Sequence, residues 1–332
     1  MRRLVFAAVL LLGMGTAAPA VASTHDKADA AAGWLARQLV DGERFEVEFG
    51  GERFPDQGGT IDAIFAFAAA GVSGTNAEKA ITWLARPEIT TGYVGAGTES
   101  YAGAHAKLLL GAQVRHRSGT SFGGVDLEGG LRALLTPSGR FSDRSDFGDF
   151  SNAFTQSLAL IALDRTSGGA PTSARAFLAG TQCADGGFPQ DFGQTPCVSD
   201  VDSTSVVVQA LRATGDTTNA AEGTTWLAGR QNADGGFSLG TAASNANSTG
   251  LAAQALAGYR PVAAVKAKRF LRSLQQGCSS PAANRGAISY DATGFDAATA
   301  RRATAQAVLG LTGVKFANLH GGGQAQAPTL AC

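Results

Sequence analysis

Two aspartates stand at the predicted start of a helix, in the run Asp200-Val201-Asp202-Ser203-Thr204. The free N–H groups and the dipole of a helix N-terminus favour a carboxylate, so either aspartate could act only as a helix cap. Two carboxylates this close also repel each other, and a carboxylate held against such repulsion is typical of a functional site. Asp202 is therefore our first candidate for a site residue, with Asp200 as its partner.

Other apolar segments of the chain also place polar side chains where a helix begins. If these helices lie side by side and parallel, their first turns meet at one mouth of a ring and could bind a ligand there. The candidates at this level are Asp62, Glu99, Tyr101, Asn152, Thr204, Asn247, Arg301 and Arg302. Capping of the helices is the alternative role for the serine, threonine, asparagine and aspartate side chains.

A second polar level is predicted about two turns deeper in the same helices. It consists of Lys107, Gln156, Gln209, Gln254 and Gln306. Ammonium and amide groups in a buried helix need hydrogen-bonding partners. A ligand in a central cavity could supply them, and water in an unused cavity would satisfy them equally well.

These positions belong to a repeat that is clearest in the middle of the chain. ARAFLAGTQCADGGF, Ala174–Phe188, returns as GTTWLAGRQNADGGF, Gly223–Phe237, 49 positions later. Each copy continues through a polar loop into a second helix that opens with a Ser-Thr pair. Asp-Gly-Gly supplies the positive φ angles of a sharp reversal, and the hydroxyl groups cap the second helix. The unit is therefore a helical hairpin of about 45–49 residues.

Weaker copies of this hairpin extend along most of the chain. Their first helices are marked by Trp34, Trp83, Leu131, Phe177, Trp226 and Phe270, at steps of 44 to 49 residues. The first helices are amphipathic, whereas the second helices are apolar nearly all round and are therefore predicted to be buried. We predict an all-α protein in which six hairpins close into a ring, with the second helices inside and the first helices outside. No polar capping repeat of the kind that an open array needs is visible.

The composition excludes some classes of function. The chain has 332 residues, 27 basic and 27 acidic side chains, and no basic stripe, so we expect no nucleic-acid partner. Arg2-Arg3, an apolar run and Ala20-Val21-Ala22 predict a signal peptide over residues 1–22, too short to span a bilayer. We expect a secreted monomer without a stable membrane anchor, with one domain over residues 23–316 and a tail over 317–332.

The four cysteines all follow the predicted signal peptide. An even number in an exported protein most simply indicates disulfides, and three pairings are possible. We favour Cys183–Cys197, which closes the loop of the fourth hairpin, and Cys278–Cys332, which ties the tail to the sixth. A metal site would require spacing such as C-x-x-C, which is absent, so no metal or other cofactor is expected.

Repeats of the form R-x-F-L-x-x-x-Q-x-x-D-G-G-F, each followed by a buried helix, resemble a known pattern. They are similar to the Q-x-x-x-G-x-W repeats of squalene cyclases and to the repeats of protein prenyltransferase β-subunits. The resemblance covers Ala28 to Val314 and is sharpest in repeats four and five. It implies an α/α toroid, a double ring of helices around a central cavity, more strongly than it implies any activity.

The resemblance also implies a role for the acidic run. Class II terpene cyclases carry D-x-D-D there, and the middle carboxylic acid protonates an alkene. Position by position, Asp202 matches that acid and Asp200 its flanking partner, while Ser203 replaces the last aspartate. An acid of this strength must be held neutral or activated by its neighbours, so the replacement weakens the match. Three tryptophans and four tyrosines also leave few such rings to stabilise carbocations.

Two other enzyme classes with this type of ring are alternatives to cyclisation. Protein prenyl transfer needs zinc held by Asp, Cys and His, but here the cysteines are predicted to be oxidised and the four histidines are scattered. A polysaccharide-processing enzyme would need two carboxylates across a cleft, for which Asp62, Glu99, Asp149 and Asp202 are candidates.

Binding without catalysis is the favoured reading. Secreted toroids that resemble corrinoid carriers hold a ligand at the mouth of the ring. We therefore expect this protein to bind an unidentified small molecule or a component of the cell envelope.

Overall fold

The computed structural model describes residues 23–321 and 323–332, so the predicted signal peptide lies outside the described part. In chain order its helices are α1 Lys27–Gln38, α2 Gln57–Ala70, α3 Gly74–Leu84, α4 Pro87–Val94, α5 Ala102–Val114, α6 Leu127–Arg132, α7 Ala153–Asp164, α8 Thr172–Ala179, α9 Val201–Ala213, α10 Thr217–Gly229, α11 Ala246–Leu256, α12 Pro261–Ser273 and α13 Ala297–Thr312. Its strands are β1 Ser23–Thr24, β2 Phe45–Phe49, β3 Glu52–Asp56 and β4 Thr329–Leu330.

The inner layer is a closed ring of six helices. Each packs against the next, in the order α2, α5, α7, α9, α11 and α13, and α13 then packs against α2. These are the helices that the sequence predicts to be apolar all round. The all-α toroid is confirmed.

The outer layer supplies the first helix of each hairpin. It consists of α1, α3, α6, α8, α10 and α12, and the six residues that mark the repeat in the sequence lie in these helices. Six hairpins amount to twelve predicted helices. The described residues form thirteen, because α4 follows α3 within the second hairpin. Pro87 is its first residue, a position that proline favours because its ring fixes φ and its missing N–H has no helical partner.

A repeated pair of hydrogen bonds joins the sharp turn to the following inner helix in the fourth, fifth and sixth repeats. The Thr249 hydroxyl accepts from the backbone N–H of Phe237 at 2.8 Å, and Thr204 accepts from Phe188 at 2.9 Å. Each hydroxyl also lies within hydrogen-bonding distance of the carbonyl of the same phenylalanine. The glycine after the aspartate in Asp-Gly-Gly has the predicted positive φ, +88° at Gly235. Thus one threonine fixes the turn that follows the outer helix in the fourth and fifth repeats.

The sixth repeat is joined to the first by the same contacts that join other neighbours. The amide of Gln231 donates to the carbonyl of Ala263 at 2.8 Å, and Gln275 donates to the carbonyl of Lys27 at 2.8 Å. Trp34 also donates to the carbonyl of Ala283. A glutamine that links successive repeats therefore also closes the ring.

A two-stranded hairpin, β2 and β3, interrupts the first helical hairpin and was not predicted. Its strands pair antiparallel from Phe45 with Asp56 to Phe49 with Glu52. Gly50 and Gly51 form the turn with φ of +64° and +84°, angles that glycine adopts at little cost. The alternation in FEVEF followed by Gly-Gly is the sequence signal for this hairpin.

Residues 313–321 and 323–332, called the tail from here on, cross the C-terminal ends of the inner helices. The carbonyl of Gly71 accepts from Gln324 N–H at 2.8 Å, and Gly321 donates to the carbonyl of Val114. At its end the tail forms β4, which pairs parallel with β1. The disulfides are Cys183–Cys197 and Cys278–Cys332, the favoured pairing.

Candidate functional site

A cavity of about 420 Å³ lies within the inner ring, and all six inner helices contribute to its wall. Most of the wall is apolar, and four phenylalanines from different parts of the chain line it: Phe45, Phe65, Phe154 and Phe316. Phe316 comes from the tail and meets Phe65 edge to face, with ring centroids 5.8 Å apart. The tail therefore provides part of the cavity floor, and a volume of this size suits a small organic ligand.

One side of the cavity carries a half-buried ion pair. The Lys107 ammonium lies 2.8 Å from the Asp62 carboxylate, and both residues line the cavity with Asp56. Burial works to lower the pKa of Lys107, but the negative charges of its neighbours, Asp62 foremost, outweigh burial and raise it. Lys107 is therefore a cation at neutral pH. Burial raises the pKa of the neighbouring Tyr93, whose phenol stays protonated.

The inner helix α13, which packs against α2, contributes two arginines to the wall. Arg301 donates to the backbone carbonyl of Glu46 at 2.6 Å and lies over the ring of Phe45, so it holds β2 against the ring. Arg302 lines the cavity and is exposed to it, with no hydrogen bond or ion pair to the residues that the structure describes. Arg302 is thus the cation most available to an anionic ligand.

Asp202 lies near this arginine, in the first turn of α9, but is not among the residues that line the cavity. Burial raises the pKa of its carboxyl to about 6, the charge of Asp200 adds to the rise, and a hydrogen bond with Ser248 and the charge of Arg302 oppose it. Its Oδ1 is buried and has no hydrogen-bond partner in the described part of the chain. Asp200 instead caps α9, accepting from Ser203 N–H at 2.7 Å.

Two further oxygens near the mouth resemble Asp202 Oδ1 in lacking a donor. Asn247 occupies the position in α11 that corresponds to Asp202 in α9, and Gln306 lines the cavity. Their side-chain carbonyl oxygens are buried without a hydrogen-bond partner in residues 23–321 and 323–332. Buried acceptors are rarely left unpaired, so water or a ligand is expected to supply the donor here.

The other glutamines of the deeper level do not line the cavity. Gln156 accepts from Phe141 N–H and fixes the third turn, as threonines do elsewhere. Gln209 accepts from Phe316 N–H, and Gln254 donates to the carbonyl of Val314 at 2.7 Å. Gln209 and Gln254 therefore hold the tail under the ring. Their place in apolar helices indicates amides that need partners, but no local signal in the sequence indicates that the tail is the partner.

The remaining predicted positions have local roles at the rim. Asn152 caps α7, and the Thr204 hydroxyl holds the turn at Phe188. Glu99 accepts from the Tyr101 hydroxyl at 2.8 Å and from Asp146 N–H at 2.9 Å. Hydrogen bonds from Ser145, Asp146 and Tyr101 lower the pKa of Glu99. This rim is also apolar, because Phe49, Phe54, Phe147 and Phe150 are exposed in the segments that precede inner helices.

The four carboxylates considered for polysaccharide chemistry have separate surroundings. Asp62 is paired with Lys107, and Asp149 with Arg140 at 2.9 Å. Glu99 accepts hydrogen bonds from Tyr101 and Asp146, and Asp202 is buried in the first turn of α9. No group of three or more His, Cys, Asp or Glu side chains able to hold a metal ion occurs in the described residues. In the same part of the chain, no helix has the length and apolar character to cross a membrane.

No protein-family model matches the chain, and a search of curated proteins also finds no match. Solved structures do match. The type II terpene cyclase MstE from Scytonema superposes with a TM-score of 0.66 over 86% of this chain and 96% of that chain, at 14% identity. A protein from Actinoplanes gives 0.63 over 87% and 99%, at 18% identity.

A protein prenyltransferase is also among the solved structures that match. Protein geranylgeranyltransferase-I from Candida albicans, complexed with GGPP, gives a TM-score of 0.53 over 76% of this chain and 83% of that chain, at 11% identity. The chain therefore has the toroid fold that terpene cyclases and protein prenyltransferases share. Identities this low establish the fold and leave the activity to be argued from the site.

Proposed function

We propose that this protein binds an amphiphilic small molecule in its central cavity, with a hydrocarbon part against the phenylalanines and an anionic head group at the cationic side. The observation that carries the proposal is the cavity of about 420 Å³, apolar in most of its wall and lined by Lys107, Arg301 and Arg302. Pockets of this kind combine apolar area for affinity with a few polar groups for orientation.

The head group is further defined by the unpaired groups. Among the described residues, Arg302 lines the cavity without a hydrogen bond or ion pair, and Gln306 lines it with a side-chain oxygen that lacks a donor. A ligand that carries both a carboxylate and hydroxyl groups supplies an acceptor for Arg302 and a donor for Gln306. Buried polar groups that gain partners in this way contribute to specificity.

Structural neighbours support a ligand of this class. A variant of the Scytonema cyclase MstE is bound to geranylgeranyl dihydroxybenzoate, its substrate, and another to merosterolic acid A, its product. The substrate combines a prenyl chain with a head group that has a carboxylate and two hydroxyls. We therefore choose prenylated dihydroxybenzoates as probes for this chain.

The test measures binding of prenylated dihydroxybenzoates of increasing chain length by calorimetry, each beside its uncharged methyl ester. We expect binding of the acid, with the ester weaker by about 10- to 150-fold, since a charge-assisted hydrogen bond contributes about 1.5–3 kcal/mol. Arg302→Met should remove the difference between acid and ester. Val206→Trp, which fills the cavity from α9, should abolish binding of both.

Two controls keep the test interpretable. Arg53→Met removes an exposed arginine on β3 and should leave the acid and ester affinities unchanged. Thermal unfolding of each variant checks that it folds. Equal binding by wild type and Val206→Trp would place the ligand elsewhere and overturn the proposal.

A second candidate is Brønsted-acid cyclisation with Asp202 as the proton donor. Its pKa of about 6 and its unpaired Oδ1 favour this activity. At pH 7, however, a carboxyl with this pKa is protonated in only about a tenth of molecules. Asp202 also lies outside the cavity lining, so an alkene in the cavity would need a path to it. For these two reasons we propose ligand binding as the first candidate function and cyclisation as the second.

Cyclisation is tested by incubating the protein with geranylgeranyl dihydroxybenzoate in the absence of divalent metal and analysing the products by mass spectrometry. A cyclic isomer that forms with wild type but not with Asp202→Asn would establish the enzyme. Binding without isomerisation leaves a carrier or receptor function.

We also propose that the protein acts outside the cytosol. Two disulfide bonds are typical of proteins that fold in an oxidising compartment. Appearance of the chain in the culture medium of an expressing host, cleaved after Ala22, would support secretion; retention of the uncleaved chain in the cytosol would contradict it.

A further inference from the structure

Helix α12 differs from the other outer helices in the surface that it presents to solvent. Ala264, Ala267 and Leu271 are buried against the inner ring. On the opposite side Val262 is 70% exposed and Val265 is 59% exposed. In the part of the chain that the structure describes, no other helix carries a large apolar side chain exposed to this degree. The remaining exposed ones lie in strands, turns and loops.

The same side of α12 is strongly basic. Residues 235–290 contain six lysines and arginines and no aspartate or glutamate, although the whole chain has 27 residues of each sign. Lys266, Arg269 and Arg272 are exposed, and their side chains make no hydrogen bond or ion pair with any described residue. The charge of this surface is therefore not neutralised within the protein.

The valines and the cations form one continuous surface. Positions 262, 265, 266, 269 and 272 follow each other at intervals of one to four residues, which brings them within about a third of the helix circumference. The two valines lie in the first turns, and the cations follow in the next two. Tyr259, 41% exposed, extends the apolar end just before the helix begins.

We propose that this surface, the outer face of α12, docks reversibly on a membrane that contains anionic lipids. Anionic head groups complement Lys266, Arg269 and Arg272, and each such cation contributes about 1 kcal/mol of attraction, or about fivefold in affinity. Val262 and Val265 then enter the boundary between head groups and acyl chains. A soluble acidic polymer would meet the same cations but would leave the valines in water.

The proposal is tested by sedimenting the full protein with phosphatidylcholine vesicles that contain or lack phosphatidylglycerol. We expect binding only to the anionic vesicles, and weaker binding as salt rises, because salt screens surface charge. Lys266→Glu with Arg269→Glu should lower the partition coefficient about tenfold or more. Val262→Ser with Val265→Ser should lower it about threefold or more while leaving its salt dependence unchanged.

Matched variants exclude the other surfaces. Lys79→Glu replaces an exposed lysine on α3 and should leave vesicle binding unchanged. Phe49→Ser with Phe147→Ser removes exposed aromatics at the mouth of the ring and should also leave it unchanged. Vesicle binding that survives both α12 pairs, or that is lost in the Phe49 and Phe147 pair, would overturn the proposal. So would binding of soluble polyglutamate by wild type without binding to anionic vesicles.

Discussion

The carboxyl group of Asp202 is buried beside a second acid, and this arrangement sets the sign of its effect on stability. Its pKa rises from 3.8 to about 6 in the folded protein, first because of burial. The folded state therefore holds the proton more tightly than the unfolded state between about pH 4 and pH 6. Stability falls as the pH rises through that window and stays lower above it.

We predict that Asp202→Asn increases the free energy of unfolding by about 1–3 kcal/mol at pH 7.5, because the amide avoids the cost of a buried charge. At about pH 4 the difference should vanish, since the folded wild type is then protonated. Denaturant unfolding at both pH values measures it. A variant that is less stable than wild type at pH 7.5 would show that Asp202 acts as a cap.

Asp200 provides the matched comparison two residues away. Its carboxylate caps α9 through Ser203 N–H, so Asp200→Ala should lower stability by about 0.5–2 kcal/mol at pH 7.5. If Asp200→Ala lowers the free energy of unfolding and Asp202→Asn raises it, Asp200 is a helix cap and Asp202 is a carboxyl group positioned for a ligand.

Thr249 illustrates a residue whose chemistry the sequence analysis recognised but whose role it did not. Its hydroxyl is fully buried and accepts from Phe237 N–H. Thr249→Val keeps the shape and leaves that N–H without a partner, so we predict a loss of about 1–3 kcal/mol. The exposed Thr218→Val in α10 should change stability by less than about 0.5 kcal/mol. Equal effects in denaturant unfolding would contradict this role.

Residue types and spacing identified polar groups that need partners, and the partners decide their functions. Lys107 is a half-buried cation that lines the cavity, and its partner Asp62 comes from a neighbouring helix. Gln209 and Gln254 bind a tail more than fifty residues away in sequence. The phenylalanines of the cavity were not predicted, because an apolar side chain in a buried helix gives no sign of whether it meets another helix or an empty space.

At the scale of elements, the helices were predictable because their signals are local. Apolar periodicity, Asp-Gly-Gly turns and capping residues define α9 and α11 without knowledge of the rest of the fold. The hairpin β2–β3 is also encoded locally, in FEVEF-Gly-Gly, but five residues of alternation are easily missed within a helical repeat. The tail carries no periodicity, and its position depends on the ring that it closes.

The two disulfides hold elements of different kinds, and we predict different consequences when each is removed. Cys278–Cys332 closes a span of 54 residues that includes α13 and the tail, whereas Cys183–Cys197 closes 14. Loop-closure entropy gives about 4 kcal/mol for the longer span and about 3 kcal/mol for the shorter one. Replacing both cysteines of a pair by serine should therefore destabilise more for Cys278 and Cys332.

Hydrogen exchange shows which part of the protein is destabilised when each disulfide is removed. Faster exchange of the tail amides, including Gln324 N–H, which bonds to the carbonyl of Gly71, is expected only in the Cys278 and Cys332 variant. Similar exchange in both double variants would show that the tail is held by its hydrogen bonds alone.

At the scale of the whole molecule, closure of the ring changes how the repeats depend on each other. In an open array each repeat contacts only its neighbours, and terminal repeats can unfold separately. Here the first and sixth repeats share the Gln275 to Lys27 and Trp34 to Ala283 hydrogen bonds. There is no terminal repeat, so the described domain should unfold in one transition.

The positions of the three tryptophans allow this to be measured. Trp34 lies in the first repeat, where the ring closes, and Trp226 lies in the fifth. We predict that proteins retaining only one of these tryptophans, the others replaced by phenylalanine, give fluorescence midpoints that coincide with their own circular dichroism midpoints. Coincident transitions are the test of two-state unfolding. Gln275→Ala should lower both midpoints together, and we expect the same of Gln231→Ala, which removes the equivalent hydrogen bond within the ring. An earlier transition at Trp34 alone would show that the closure is weak and that the chain behaves as an open array.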